Sequence, residues 1–75
     1  MGSKYPLLSA RKIINALRKA GFVEVSQRGS HRKLRSDSIP TRTVIVPMHD
    51  EVARGTLRGI LEQADIDLES FSELL

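Results

Sequence analysis

The 75-residue chain is long enough for one small domain with a modest core, and its 40% hydrophobic and 28% charged residues are typical of a folded protein. The absence of cysteine excludes a disulfide framework and a thiolate zinc site, and no apolar run approaches the roughly 18 residues of a membrane span. The net charge of +3 is uneven: residues 1–47 carry ten Lys and Arg against two carboxylates (+8), and residues 48–75 carry two Arg against seven carboxylates (−5).

The N-terminal segment, residues 1–8, is predicted to be a flexible lead-in, because Gly2 is flexible and Pro6 resists helix formation. It has no hydrophobic signal region, so we expect a cytoplasmic protein. Residues 9–75 are predicted to form a single domain.

The first regular element is predicted to be a helix over residues 10–20 with Ser9 as its N-cap. Its apolar residues recur at helical spacing and form one stripe: Ile13, Ile14, Leu17 and Ala20. Gly21 can adopt the left-handed conformation that ends a helix, and Phe22 can then pack back onto the helix.

Three short strands are predicted next, over residues 22–27, 31–35 and 42–46. A turn at Arg28-Gly29 joins the first two strands, and the loop over 36–41 is rich in turn-forming residues. The third strand is the most β-branched stretch of the chain and is closed by Pro47.

Two helical segments are predicted at the C-terminal end. After an irregular connection over 50–55, Thr56 can cap a helix that carries Leu57, Ile60, Leu61 and Ala64. Asp67 can cap a final short turn that carries Leu68, Phe71, Leu74 and Leu75. The predicted fold class is therefore α+β, in the order α-β-β-β-α with a C-terminal helical turn. Helices on one face of a three-stranded antiparallel sheet would leave the other face free for a ligand.

The tripeptide Gly29-Ser30-His31 places one of the two histidines at the start of the second strand. Because side chains alternate along a strand, His31, Lys33 and Arg35 should share one face, and Ser30, Arg32 and Leu34 the other. Histidine exchanges protons near neutrality, so an imidazole beside two fixed cations suits chemistry on a polyanion. The basic half of the chain also favours a nucleic-acid-binding face, although a small domain can be basic for solubility alone.

Four motifs, in order along the chain, carry a family resemblance. They are Leu17-x-x-Ala20-Gly21-Phe22, Gly29-Ser30-His31, Val46-Pro47-x-His49 and Gly55-Thr56-Leu57-x-x-Ile60-Leu61-x-x-Ala64. Their order and spacing, from about Leu8 to Leu75, closely resemble the HicA family of toxin mRNA interferases. The chain departs from the family at Arg32-Lys33, where members often have hydrophobic or aromatic residues, and in a slightly longer loop over 36–41.

The resemblance implies a fold like that of a double-stranded-RNA-binding domain, and cleavage of messenger RNA without a metal or an organic cofactor. The family's single catalytic histidine lies in the Gly-Ser-His motif, which makes it His31 here. We expect it to act as a general base that takes a proton from a ribose 2′-hydroxyl. The resemblance also implies a partner, an antitoxin of the HicB family that covers the active face.

The candidate RNA-binding residues surround this histidine: Arg28, Gly29, Ser30, Arg32, Lys33 and Arg35. Lys33 and Arg35 are the first choices for phosphate contacts, whereas the directions of Arg28 and Arg32 are open at this stage. Gly29 gives backbone freedom for a tight turn. Ser30 could donate a hydrogen bond to phosphate or could equally face the core.

His49 is a candidate second proton carrier, but its place after Pro47 favours a structural or capping role. A metal site formed with the adjacent Asp50 and Glu51 is not expected, because consecutive residues project in different directions. The alternative to a ribonuclease is a non-catalytic RNA-binding module of the same fold, which reads RNA by shape and by 2′-hydroxyl contacts. His31 separates the two interpretations, because a pure binder needs no imidazole there.

Overall fold

The computed structural model describes residues 4–75 and confirms the small α+β fold. In this part of the chain the elements are α1 (Ala10–Lys19), β1 (Phe22–Arg28), β2 (His31–Ser36), β3 (Thr43–Pro47), α2 (Arg54–Ala64) and α3 (Leu68–Ser72). The strands form one antiparallel sheet in the order β1-β2-β3, so β2 lies in the middle. The strand boundaries differ from the prediction only by single residues at the strand ends.

The ends of α1 follow from two residues that the sequence identifies. The Ser9 side chain accepts a hydrogen bond from the Lys12 backbone N–H at 3.2 Å and so satisfies a free donor of the first turn. Gly21, with φ +99°, takes the left-handed conformation that turns the chain out of the helix. Ala20, predicted in the apolar stripe, is instead exposed, because it lies at the C-cap; Ala16 is the buried alanine in the middle of this helix.

The predicted start of the second helix is wrong. Helix α2 begins at Arg54, with Ala53 as a cap that makes no side-chain hydrogen bond, so Thr56 lies inside the helix. The chain before it is tied down, since the Val52 N–H donates to the Leu8 carbonyl at 2.7 Å. Residues 54 and 55, predicted to belong to an irregular connection, are therefore already helical and follow this bridge after a single residue.

Asp67 caps α3 as predicted. Its side chain accepts a hydrogen bond from the Ser70 backbone N–H at 2.7 Å. The backbone N–H of Ser70, and to a smaller extent its side chain, donate hydrogen bonds that stabilise the Asp67 carboxylate. They lower the pKa of Asp67 below its usual value of 3.8. Within the short helix that follows, Phe71 is fully buried.

The helices cover one face of the sheet and enclose the core there. Its largest fully buried side chains are Phe71, Ile13, Leu17, Leu34, Leu57, Val44, Val46 and Val52. On β2 and β3 the burial alternates, with Leu34, Val44 and Val46 inward and their neighbours exposed or half-buried. One face of the sheet is thus covered by none of the helices of residues 4–75, and we call it the open face; the opposite side is the helix face.

The expected lead-in falls partly outside the described residues, since residues 1–3 are not among them. Of the rest, Tyr5 and Leu8 pack against the core, and the Arg54 guanidinium donates to the Tyr5 carbonyl at 2.8 Å. The flexibility of this segment and the domain boundary at residue 9 stay predictions. Across residues 4–75, the structure contains no helix of the length and hydrophobicity needed to cross a membrane.

Candidate functional site

The residues at odd positions on β2 share the open face. His31, Lys33 and Arg35 are all exposed, whereas Leu34 and Ser36 are buried and Arg32 is half-buried. This alternation follows from the pleat of the strand, because Leu34 must enter the core beneath the helices. The expected grouping of the histidine with two cations on one face is therefore present.

Each of these three residues has a neighbour on both flanking strands. His31 pairs with Arg28 on β1 and Pro47 on β3. Lys33 pairs with Ser26 and Ile45, and Arg35 pairs with Val23 and Thr43. Residues directly opposite each other on adjacent strands have Cβ atoms about 4.5–5.5 Å apart, so Arg28 is the cation nearest to His31 in the register.

A shallow depression of about 580 Å³ lies at this end of the open face. Its lining residues are Ser26, Gln27, Arg28, His31, Lys33 and Ile45. It is open to solvent, Arg28 and Lys33 make it basic, and Ile45 is its one apolar side chain. Such a surface can receive an extended polyanion but cannot enclose a small molecule as a deep pocket does.

Positive charge on the open face is not neutralised by a carboxylate of the described residues. Among residues 4–75, Arg28, Lys33 and Arg35 have no carboxylate within salt-bridge distance. Lys33 and Arg35 lie two and four residues from His31 along β2, which corresponds to roughly 6.6 and 13 Å. Three unpaired cations along one strand pair therefore create a row of sites for anionic groups beside the imidazole.

Arg32 does not belong to this row. It lies on the helix face, where its guanidinium donates to Glu24 Oε1 at 3.1 Å, and the same oxygen accepts from Arg18 at 2.6 Å. Its Nε is buried and has no hydrogen-bond partner among the described residues. The structure thus separates Arg32 from His31, because alternation along β2 directs it toward α1.

The turn before the histidine consists of Gly29 and Ser30. Gly29 has φ +57°, a conformation that favours glycine in a tight turn. Ser30 is exposed, and its carbonyl accepts a hydrogen bond from the Met48 N–H at 2.6 Å. This bond extends the β2–β3 pairing past Pro47 and fixes the turn against the end of β3. The start of β2 is therefore paired with β1 on one side and with β3 on the other.

His49 lies in a different depression. That depression, of about 480 Å³, is lined by Ser9, Ala10, Arg11, Met48, His49 and Asp50 at the start of α1. The His49 carbonyl accepts a hydrogen bond from the Ala10 N–H at 3.0 Å, so its backbone supports the first turn of the helix. Any residue at position 49 could make this backbone contact, so the role of the His49 imidazole stays a prediction. His31 and His49 line different depressions.

Three exposed apolar residues on the sheet are absent from the sequence-based site. Val23, Val25 and Ile45 are 50%, 45% and 48% exposed. Alternation within the third strand could have indicated Ile45, because Val44 and Val46 flank it and a strand covered on one face buries every second residue.

Within residues 4–75, no three His, Cys, Asp or Glu side chains are clustered so as to hold a metal ion.

Comparison with known proteins identifies the family of the chain. The family model described as the HicA toxin of bacterial toxin–antitoxin matches residues 10–66, more than half of the chain. The matched range spans the elements from α1 to α2 and includes Gly29-Ser30-His31. A search of curated proteins found no match. The chain therefore belongs to the HicA toxin family of bacterial toxin–antitoxin systems.

Proposed function

We propose that this protein is an endoribonuclease toxin that cleaves messenger RNA on the open face, with His31 as the general base. The observation that carries the proposal is the exposed imidazole of His31 at the head of a row of cations that have no carboxylate partner among the described residues. Membership of a toxin family supports it further.

The chemistry follows from the groups present. His31 takes the proton of a ribose 2′-hydroxyl, and the resulting oxygen attacks the adjacent phosphorus. The bond from the 2′-oxygen to phosphorus forms as the bond to the 5′-oxygen breaks, which leaves a 2′,3′-cyclic phosphate and a 5′-hydroxyl. The imidazolium returns its proton to the leaving oxygen directly or through solvent, which reaches the open face. Because only a proton is relayed, the reaction balances without a metal or an organic cofactor.

RNA is bound through its backbone in this proposal. Lys33 and Arg35 contact phosphates along the strand, and the cations lower the cost of charge that develops during attack. Base stacking plays little part, because the aromatic residues are Tyr5, Phe22 and Phe71, of which Phe22 and Phe71 are buried. Gly29 and Ser30 hold the turn, and the Ser30 side chain is exposed and can reach a phosphate oxygen.

The proposed partner is a HicB-like antitoxin that covers the His31 face, in the cytoplasm where messenger RNA is made. The sheet offers both parts of a protein interface, namely the exposed apolar side chains Val23, Val25 and Ile45 and positive charge that has no carboxylate partner among residues 4–75. An acidic partner would be steered by the charge and held by the apolar contacts. Inhibition would then be direct occlusion of the imidazole.

The proposal is tested by inducing the wild type, His31→Ala and His49→Ala in a bacterium and following growth and RNA integrity. We expect growth arrest and RNA fragmentation with the wild type and with His49→Ala, and neither with His31→Ala at equal protein level. RNA fragmentation by His31→Ala would remove His31 from catalysis. If the purified wild type and His49→Ala bind RNA but fragment it no more than His31→Ala does, the non-catalytic RNA-binding module is favoured.

A further inference from the structure

Strand β1 contains one extra residue relative to β2. From Glu24, which pairs with Leu34, to Arg28, which pairs with His31, β1 has three intervening residues, whereas β2 has two. The register shifts between Glu24 and Ser26, and Val25 is left without a partner in the ladder. This is a β-bulge, a feature that re-aims the side chains that follow it.

The bulge changes the face on which Arg28 lies. In an uninterrupted strand, residues 22, 24, 26 and 28 would share one face, and Phe22 is buried on the helix side. With Val25 as an extra residue, Ser26 pairs with Lys33 and Arg28 pairs with His31, both on the open face. Alternation alone would therefore have placed Arg28 on the wrong side of the sheet.

Both ends of β1 are fixed, so the extra residue has to be accommodated between them. At one end Phe22 is buried and Glu24 accepts hydrogen bonds from Arg18 and Arg32 on the helix face. At the other end the turn Gly29-Ser30, with its positive φ at Gly29, fixes Arg28 opposite His31. A slip of the first half of the strand would expel Phe22 from the core, and a slip of the second half would break the turn.

We propose that Arg28 acts on the same phosphate group as His31 and that the Val25 bulge is the device that places it there. This rests on the proposed function and assigns Arg28 a role different from that of Lys33 and Arg35. Arg28 is directly across the ladder from the imidazole, whereas Lys33 and Arg35 lie further along β2. Its planar guanidinium can hold two phosphate oxygens at once, and this contact strengthens as negative charge grows on them during attack.

The role of Arg28 predicts a split between the rate of cleavage and the affinity for RNA. At saturating RNA, Arg28→Ala should lower the single-turnover cleavage rate by about tenfold or more. Lys33→Ala should instead mainly raise the RNA concentration at which the cleavage rate is half-maximal. Arg58→Ala, which removes an exposed positive charge from α2, is the matched control and should leave both quantities near wild type. Arg28→Lys should recover only part of the rate, because an ammonium cannot form the paired contact.

The role of the bulge is tested by two variants, one that moves the Arg28 guanidinium to the neighbouring position and one that removes the extra residue. The exchange Gln27→Arg with Arg28→Gln keeps the charge and keeps a guanidinium at the rim of the depression, but it moves that group from the position paired with His31 to the position paired with Arg32. If the pairing with His31 matters and not the local charge alone, the rate should fall toward that of Arg28→Ala. Deletion of Val25 should leave a folded protein near the wild-type rate, since equal numbers of residues then lie between the two fixed pairs and Arg28 stays opposite His31. Cross-strand NMR contacts between residues 28 and 31 report the register independently of cleavage.

The outcomes are distinguishable from failure of the proposed function. Wild-type protein that cleaves, together with Arg28→Ala that cleaves equally fast at saturating RNA, would overturn the role of Arg28 and leave the ribonuclease standing. Unchanged rates for the Gln27/Arg28 exchange would overturn the role of the bulge, and this test does not depend on whether the deletion variant folds. Wild-type protein that does not cleave would overturn the proposed function and this inference together.

Discussion

The open face and the helix face of the sheet differ most clearly in whether their cationic side chains have carboxylate partners. On the helix face, Arg18 and Arg32 share the carboxylate of Glu24. On the open face, none of Arg28, Lys33 and Arg35 has a carboxylate partner among residues 4–75. Neighbouring residues of one strand thus serve different purposes: those on the helix side stabilise the fold, and those on the open side remain available to an external anion.

The largest expected effect of breaking this division concerns Leu34, which is fully buried. Leu34→Ala should lower the free energy of unfolding by about 2–5 kcal/mol, because it removes buried methyl groups and leaves a cavity. Lys33→Ala, one residue away but exposed, should change it by no more than about 0.5 kcal/mol. Denaturant unfolding of both variants measures the difference, and equal decreases would contradict the separation of the two faces.

The second effect concerns RNA binding by the open face. The double variant Lys33→Ala/Arg35→Ala should weaken binding to all RNA sequences and flatten its salt dependence by about one unit of slope for each phosphate that is no longer neutralised. Arg18→Ala, a cation of the helix side, should leave the slope unchanged. Binding of a short RNA measured by fluorescence anisotropy at several salt concentrations gives both slopes. An unchanged slope in the double variant would remove both residues from the binding surface.

A third effect concerns the antitoxin. Reversing the charge with Lys33→Glu/Arg35→Glu should slow association with a HicB-like antitoxin by about tenfold at low salt, because encounter is steered by charge. Association rates measured at low and high salt should converge as the charges are screened. If RNA binding falls while the association rate stays at the wild-type value, the antitoxin binds elsewhere and occlusion of His31 is wrong.

The smallest effect lies far from the open face, at the cap of α3. The pKa of Asp67 is lowered in the folded protein, so its charge contributes stability above its usual value of 3.8, and this contribution disappears as the pH falls through the lower folded-state value. Asp67→Asn should therefore be slightly less stable than the wild type at pH 7 and about equally stable at strongly acidic pH. Thermal unfolding across this pH range tests the sign. A stability difference that does not change with pH would contradict it.

Much of the fold follows from local sequence signals. Ser9, Gly21 and Asp67 mark helix ends through capping chemistry that depends on a few neighbouring atoms. The start of α2 did not follow from such signals, because it depends on a long-range contact, the bridge between Leu8 and Val52. Local propensity carries no information about a pairing between residues so far apart in the chain.

The candidate site was predictable only where strict alternation holds. His31, Lys33 and Arg35 lie on a regular strand, so their common face follows from the pleat. The direction of Arg28 did not follow, because it depends on the bulge at Val25, and the bulge depends on anchors on both sides. The helix-side position of Arg32 follows from the same alternation, and its contact with Glu24 required the folded structure.

The central claim is that His31 is the base that drives RNA cleavage on the open face. The direct measurement is single-turnover cleavage of one RNA by purified wild type, His31→Ala and His49→Ala, each shown to be folded by its unfolding transition. The account predicts a fall of about a hundredfold or more for His31→Ala and a rate near wild type for His49→Ala. A folded His31→Ala protein that cleaves at the wild-type rate would contradict it.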